Sequence, residues 1–70
     1  MPIVEITLIE GRSSDAKRKL IEKVTEAVVE AIGAPREAVR IILREIPGEH
    51  FGVGGVSKGA PKVDQLQSSS

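Results

Sequence analysis

Apolar and polar residues alternate at the start of the chain, over residues 2–9. Every second residue from Val4 to Leu8 is apolar, whereas the alternate positions from Ile3 to Ile9 mix apolar and polar side chains. Side chains of a β-strand point to its two faces in turn, so this period of two predicts a first strand. One face is fully apolar, which predicts that a helix covers it.

A period of three to four residues follows, between positions 15 and 32. Apolar residues lie on one side of this segment and charged residues on the other, which predicts an amphipathic helix. Ser13 or Ser14 can cap its start, Gly33 suits the turn at its end, and Pro35 prevents its continuation. The predicted apolar stripe consists of Ala16, Leu20, Ile21, Val24, Ala27, Val28, Ala31 and Ile32.

Alternation returns from Val39 to Ile46 and predicts a second strand. Strand, long helix and strand form a βαβ unit, whose two strands are expected to be parallel with a right-handed crossover. Pro47 and Gly48 predict a turn, and the glycine-rich residues 50–56 predict a short hairpin. From Ser57 onward the sequence has no periodicity. We therefore expect an α/β (α+β) fold over residues 1–59 and a flexible polar tail over residues 60–70.

Composition limits how such a domain can be stabilised. A chain of 70 residues buries only about 60% of its unfolded surface, and it has no cysteine for disulfides or thiolate metal sites. One histidine, His50, is too few for a usual zinc site. Two strands under one helix also leave two bare sheet edges and an uncovered, partly apolar sheet face. These features together predict an obligate homo-oligomer.

Charge and targeting signals restrict the possible partners. Ten basic and ten acidic residues cancel, and Phe51 is the only aromatic residue, so no nucleic-acid partner is expected. No apolar run approaches the roughly 20 residues that span a bilayer, so no membrane partner is expected. The first twelve residues do not resemble a signal peptide. Together with the lack of cysteine, this favours a cytoplasmic location.

Four short motifs occur in a fixed order along the chain: MPI at residues 1–3, GRS at 11–13, VRIIL at 39–43 and HFGVGG at 50–55. In order and spacing they resemble the 4-oxalocrotonate tautomerase family over roughly residues 2–56. Each motif is weak alone, but the four together in so short a chain are strongly specific.

The resemblance implies a β-α-β subunit that assembles into a hexamer, a trimer of dimers. It also implies a cofactor-free enzyme of aromatic hydrocarbon catabolism, which interconverts enol and keto forms of small unsaturated 2-oxo acids such as 2-hydroxymuconate. By the same resemblance Pro2 is the catalytic base once Met1 is removed, Arg12 and Arg40 bind and polarise the substrate, and Phe51 lines an apolar pocket. Sites in this family lie between subunits.

The chemistry of tautomerisation explains these residue types. A general base works best when its pKa is close to the working pH, and an α-amino group has a pKa of about 8. Apolar surroundings and the nearby cations Arg12 and Arg40 are expected to lower the pKa of the Pro2 amine. Arginine is planar and always charged, so it suits the carboxylates and the 2-oxo oxygen of the substrate.

Structural alternatives exist for each of these residues. Pro2 can simply begin a strand, Arg12 and Arg40 can face solvent, and Phe51 can serve only for packing. His50 is expected to be a turn residue with a backbone contact. Two other functions also stay open: a proline-dependent dehalogenase or hydratase, for which Glu49 is the nearest water-activating carboxylate, and a non-catalytic homo-oligomeric module.

Overall fold

The computed structural model describes residues 1–59. Strand β1 spans Ile3–Ile9, helix α1 Ser14–Ile32 and strand β2 Arg40–Ile46. A hairpin follows, with β3 at Gly52–Val53 and β4 at Val56–Ser57. Single 3-10 turns at Arg36–Ala38 and Gly48–His50 lie on either side of β2. The predicted β-α-β fold with a short C-terminal hairpin is confirmed, and the tail predicted for residues 60–70 lies outside the described residues.

Strands β1 and β2 form a two-stranded parallel sheet, as predicted. The register runs from Ile3 opposite Arg40 to Ile9 opposite Ile46. Two further main-chain bonds continue the pairing beyond both ends. Arg40 N–H donates to the Pro2 carbonyl at 2.9 Å, and Glu10 N–H donates to the Ile46 carbonyl at 2.9 Å. Residues 2–10 are therefore held along the whole length of β2.

Helix α1 is capped at both ends by residues outside it. The Ser13 side chain accepts a hydrogen bond from Ala16 N–H at 3.1 Å, so Ser13 rather than Ser14 is the N-cap. Gly33 adopts a left-handed conformation with φ of 70°, and its N–H donates to the Val29 carbonyl at 2.9 Å. A residue with a Cβ is strained in this conformation, which explains why glycine ends the helix.

The helix packs on the apolar face of the sheet. Lys17 on α1 forms an ion pair of 2.9 Å with Glu45, which lies on the same face of β2 as Leu43. The side chains on this face and those of the helix that meet them are half-buried: Val4, Ile6, Leu8, Ile41 and Leu43 from the sheet, and Leu20, Val24 and Val28 from α1.

The single chain leaves much of its apolar surface open. On the outer face of the sheet, Ile3 is 57% exposed and Ile42 is 40% exposed. The predicted helical stripe is wider than the sheet that covers it, since Ile21 is 39% and Ile32 is 66% exposed. No apolar residue within 1–59 is fully enclosed. A two-stranded sheet is too narrow to cover the stripe, and this open surface is what the prediction of self-association requires.

The C-terminal hairpin corrects one expectation from the sequence. Ser57 belongs to strand β4 and pairs with Gly52, although no periodicity extends to it. Gly54 and Gly55 join the strands with φ of 59° and 84°. Positive φ at both central residues is typical of the type I′ turn, which matches the twist of a two-residue hairpin.

Candidate active site

The amino-terminal ends of β1 and β2 bring Pro2 and Arg40 together. Because the strands are parallel, both begin at the same edge of the sheet. Pro2 is half-buried and its carbonyl accepts the Arg40 N–H bond. The Arg40 side chain is exposed, and its Nη1 donates to the Glu37 carbonyl at 2.7 Å. This end of the sheet therefore combines Pro2 with an arginine whose main-chain N–H is hydrogen-bonded to the proline carbonyl.

Arg12 and Phe51 follow the carboxyl ends of the same two strands. Arg12 Nη1 donates to the Ile9 carbonyl, the last of β1, at 3.1 Å. Phe51 comes directly after the 3-10 turn that succeeds β2, and its N–H donates to the Gly48 carbonyl at 3.0 Å. Phe51 is 40% exposed. A cation and an apolar ring thus lie at this second end.

The four predicted site residues consequently fall into two groups within one chain. Strand β1 contains seven residues, which at about 3.3 Å each separate its two ends by roughly 20 Å. The fold brings Pro2 near Arg40 and puts Arg12 and Phe51 at the opposite end. One small substrate is too short to contact both groups, so a site with all four residues requires two chains.

Two ion pairs on the sheet were not predicted from the sequence. Arg44 lies 3.0 Å from Glu5 on the neighbouring strand, on the outer face. Lys17 and Glu45 tie the start of α1 to β2. The only sequence signal for the first pair is that each predicted strand carries a charge of opposite sign on the face that is not fully apolar. That signal becomes useful only when the strand register is known.

His50 is a turn residue, as expected: its N–H donates to the Pro47 carbonyl at 2.9 Å. Within residues 1–59, no group of three or more histidine, cysteine, aspartate or glutamate side chains is arranged to hold a metal ion. The same part of the chain encloses no pocket by itself. Nor does it contain a helix long and apolar enough to cross a membrane.

Comparison with known proteins identifies relatives of this chain. The family model described as "Tautomerase enzyme" matches residues 2–61. A probable tautomerase of Ralstonia nicotianae is 53% identical over 70 residues, covering 100% of both chains. The 2-hydroxymuconate tautomerase of Comamonas testosteroni is 49% identical over 57 residues, covering 81% of this chain and 90% of the relative. The chain belongs to the 4-oxalocrotonate tautomerase family.

Solved structures agree with this family. One of the 4-oxalocrotonate tautomerase isozymes from Methylibium petroleiphilum matches with a TM-score of 0.82 and 51% identity, covering 87% of this chain and 98% of the other. A heterohexamer 4-oxalocrotonate tautomerase from Chloroflexus aurantiacus matches with a TM-score of 0.84 and 35% identity, covering 89% of this chain and 100% of the other. This 4-oxalocrotonate tautomerase family member is an enzyme, an isomerase of the tautomerase type. The alternative of a non-catalytic module is therefore wrong.

Proposed function

We propose that this tautomerase interconverts the enol and keto forms of small unsaturated 2-oxo acids such as 2-hydroxymuconate, without a cofactor. The proposed general base is the amine of Pro2 after Met1 is removed. The observation that carries the proposal is the 2.9 Å hydrogen bond from Arg40 N–H to the Pro2 carbonyl. It ties the residue that bears the amine to the start of β2, next to a permanent cation.

Removal of Met1 is essential to this chemistry. With Met1 attached, the Pro2 nitrogen belongs to an amide and has negligible basicity. Without Met1 it is a secondary amine on a rigid ring, which takes the proton from the enol oxygen and delivers it to a carbon of the conjugated chain. Burial and a neighbouring cation both disfavour the protonated amine, so its pKa should fall toward neutrality.

The other three residues are proposed to bind the substrate. Arg40 would stabilise negative charge on the 2-oxo oxygen as the proton leaves, and Arg12 would hold a distal carboxylate through paired N–H donors. Phe51 would supply an apolar wall that excludes water and keeps the Pro2 amine neutral. In 2-hydroxymuconate the conjugated carbons lie between two carboxylates, which fits an apolar region between two cations.

The separation of the two ends of β1 supports a site shared between subunits. Pro2 of one chain would meet Arg12 and Phe51 of a neighbouring chain. The exposed Ile3 and Ile42 of the outer sheet face supply the surface for this association. We propose a homohexamer built as a trimer of dimers; the Chloroflexus aurantiacus relative is a heterohexamer. A cytoplasmic location and a place in aromatic hydrocarbon catabolism stay predictions.

An ultraviolet assay of 2-hydroxymuconate ketonisation tests the proposed base. Mass spectrometry first establishes that Met1 is absent from the purified protein. Pro2→Ala should lose most activity, and an extra residue before Pro2 should lose all of it, because the amine becomes an amide. Full activity in the extended protein would overturn the Pro2 mechanism. Pro35→Ala, a proline in the loop after α1, is the matched control and should retain activity.

A proline-dependent dehalogenase or hydratase is the alternative chemistry for the same proline. Its candidate water-activating carboxylate, Glu49, lies in the 3-10 turn before Phe51, so Glu49, like Phe51, would meet Pro2 only across two chains. Halide release from a 3-haloacrylate, measured in the same preparations, should be much slower than ketonisation. The opposite order of rates would make hydrolytic chemistry the better assignment.

A further inference from the structure

The carbonyl of Gly48 is a point where several parts of the C-terminal region meet. Phe51 N–H donates to it at 3.0 Å and Gly59 N–H at 2.9 Å. Ser57 Oγ donates to the next carbonyl, that of Glu49, at 2.8 Å and lies 3.4 Å from the Gly48 oxygen. We call this set of contacts, formed by Gly48, Glu49, Ser57 and Gly59, the Gly48 clasp.

The clasp leaves no space for a side chain at Gly59. A Cβ built there would lie 2.6 Å from the Gly48 carbonyl carbon and closer still to the Glu49 nitrogen. Such contacts are with backbone, which cannot move aside as the end of a flexible side chain can. Gly52 differs, because a Cβ there would meet only the Val56 carbonyl oxygen at 3.8 Å, an ordinary contact.

Hydrogen bonds fix the backbone of Phe51 on both sides, whereas its ring stays partly exposed. Its N–H is bound to the Gly48 carbonyl and its own carbonyl accepts from Lys58 N–H at 2.8 Å. The residue is 40% exposed, so packing within the chain leaves part of the ring without contacts that fix its direction. The direction of the ring therefore depends on the backbone, and the backbone depends on the turn at Gly48 and the returning residues 57–59.

We infer that Ser57 and Gly59 are positioning residues of the active site, which orient Phe51 by locking the turn before it. This inference rests on the proposed function, in which Phe51 lines the substrate pocket. Ser57 acts through its hydroxyl and Gly59 through the absence of a side chain. Neither residue needs to touch the substrate.

The experiment uses the fact that the chain contains one phenylalanine. Protein labelled with 4-fluorophenylalanine gives a fluorine resonance from position 51 alone, which reports the order of that ring without any assay of activity. We compare Ser57→Ala and Gly59→Ala with two controls. Ser57→Thr keeps the hydroxyl, and Gly52→Ala adds a Cβ where there is space. Circular dichroism and light scattering check that each variant folds and assembles.

Ser57→Ala and Gly59→Ala should shift or broaden the fluorine resonance, whereas Ser57→Thr and Gly52→Ala should leave it close to that of the wild type. For Ser57→Ala, KM for the 2-oxo acid should rise about fivefold, as expected for the loss of one hydrogen bond. Its kcat should change less, because Pro2 is not displaced. Ser57→Thr should restore KM.

Three results would contradict parts of this scheme separately. An unchanged resonance in both Ser57→Ala and Gly59→Ala would overturn the inference, and so would a changed resonance with an unchanged KM. If the wild type has no tautomerase activity on 2-oxo acids while the resonance still responds, the proposed function is wrong and the contact between the clasp and Phe51 stands.

Discussion

The backbone at Pro2 is fixed more firmly than the side chains around it. Its carbonyl is bonded to Arg40 N–H, whereas the Arg40 guanidinium is exposed and binds only the Glu37 carbonyl among the described residues. The proposed base is thus held by the sheet, and the cation beside it is free to turn toward the substrate. A general base must be held rigidly to be effective, while a substrate-binding arginine can move with its ligand.

Arg40→Ala should change the pH dependence of catalysis as well as its rate. The base acts when unprotonated, so kcat/KM should fall as the pH drops below the pKa of the Pro2 amine. Removing a nearby cation stabilises the protonated amine and raises its pKa. The acidic limb of the kcat/KM profile should therefore move to higher pH. Arg18→Ala, which removes an exposed helical arginine paired with Asp15, should leave the profile unchanged.

Arg12→Ala should act on binding of one class of substrate. If Arg12 holds a distal carboxylate, KM for a diacid such as 2-hydroxymuconate should rise at least about tenfold, because a charge-assisted bidentate contact is lost. A 2-oxo monoacid such as enol phenylpyruvate lacks that carboxylate, and its KM should change little. Equal effects on the two substrates would remove the distal role from Arg12.

At the scale of single elements, the caps of α1 can be tested directly. Ser13→Ala removes the side-chain acceptor of Ala16 N–H and should lower the free energy of unfolding by about 1 kcal/mol. Ser14→Ala, one residue later and inside the helix, should have a much smaller effect. Urea unfolding at one fixed protein concentration measures both, since the stability of an oligomer depends on concentration. A larger loss for Ser14→Ala would contradict the assigned cap.

The long elements follow from the sequence because their periods repeat over many residues. Strands β1 and β2 and helix α1 each show an apolar face that only one type of element can present, and Gly33 and Pro35 mark where the helix stops. The Gly48 clasp has no such signal. A lone serine and a lone glycine shortly after Val56 are typical of any loop, and their contacts depend on how the hairpin folds back.

For the candidate site, as for the fold, the sequence predicts some features and leaves others undetermined. Pro2, Arg12, Arg40 and Phe51 are recognised from short motifs, and their positions relative to the strands follow from the alternation. What the sequence does not reveal is the pairing of Glu5 with Arg44, because that depends on the register of two strands separated by a helix. It also does not show which apolar residues stay exposed after the helix has packed on the sheet.

For the molecule as a whole, the open outer face of the sheet leads to a test of assembly. Light scattering should give about six times the 7.5 kDa mass of one chain. Ile42→Lys should dissociate the assembly and abolish activity, because it puts a charge into the exposed apolar face. Glu5 lies directly opposite Ile42, so the lysine meets a favourable charge within its own chain. Any loss of assembly then reports the contact between chains.

Glu22→Gln is the matched control, since it changes the net charge by the same amount on the exposed side of α1. It should keep the mass and the activity of the wild type. An Ile42→Lys protein that keeps the wild-type mass would exclude the outer face from the interface. A wild-type mass of one chain, with native circular dichroism retained on dilution, would exclude self-association altogether.

The length of β1, which separates Pro2 from Arg12, has a genetic consequence. If every site takes its proline from one chain and its distal arginine from another, two defective alleles can rescue each other. Mixed assemblies of Pro2→Ala and Arg12→Ala chains should regain activity at roughly one site in four, although each protein alone is impaired. Conversely, when a mutant gene is expressed beside the wild type, each mutant chain should also inactivate a site that it shares with a wild-type chain. After a gene duplication, the two copies could specialise, one chain supplying Pro2 and the other supplying Arg12.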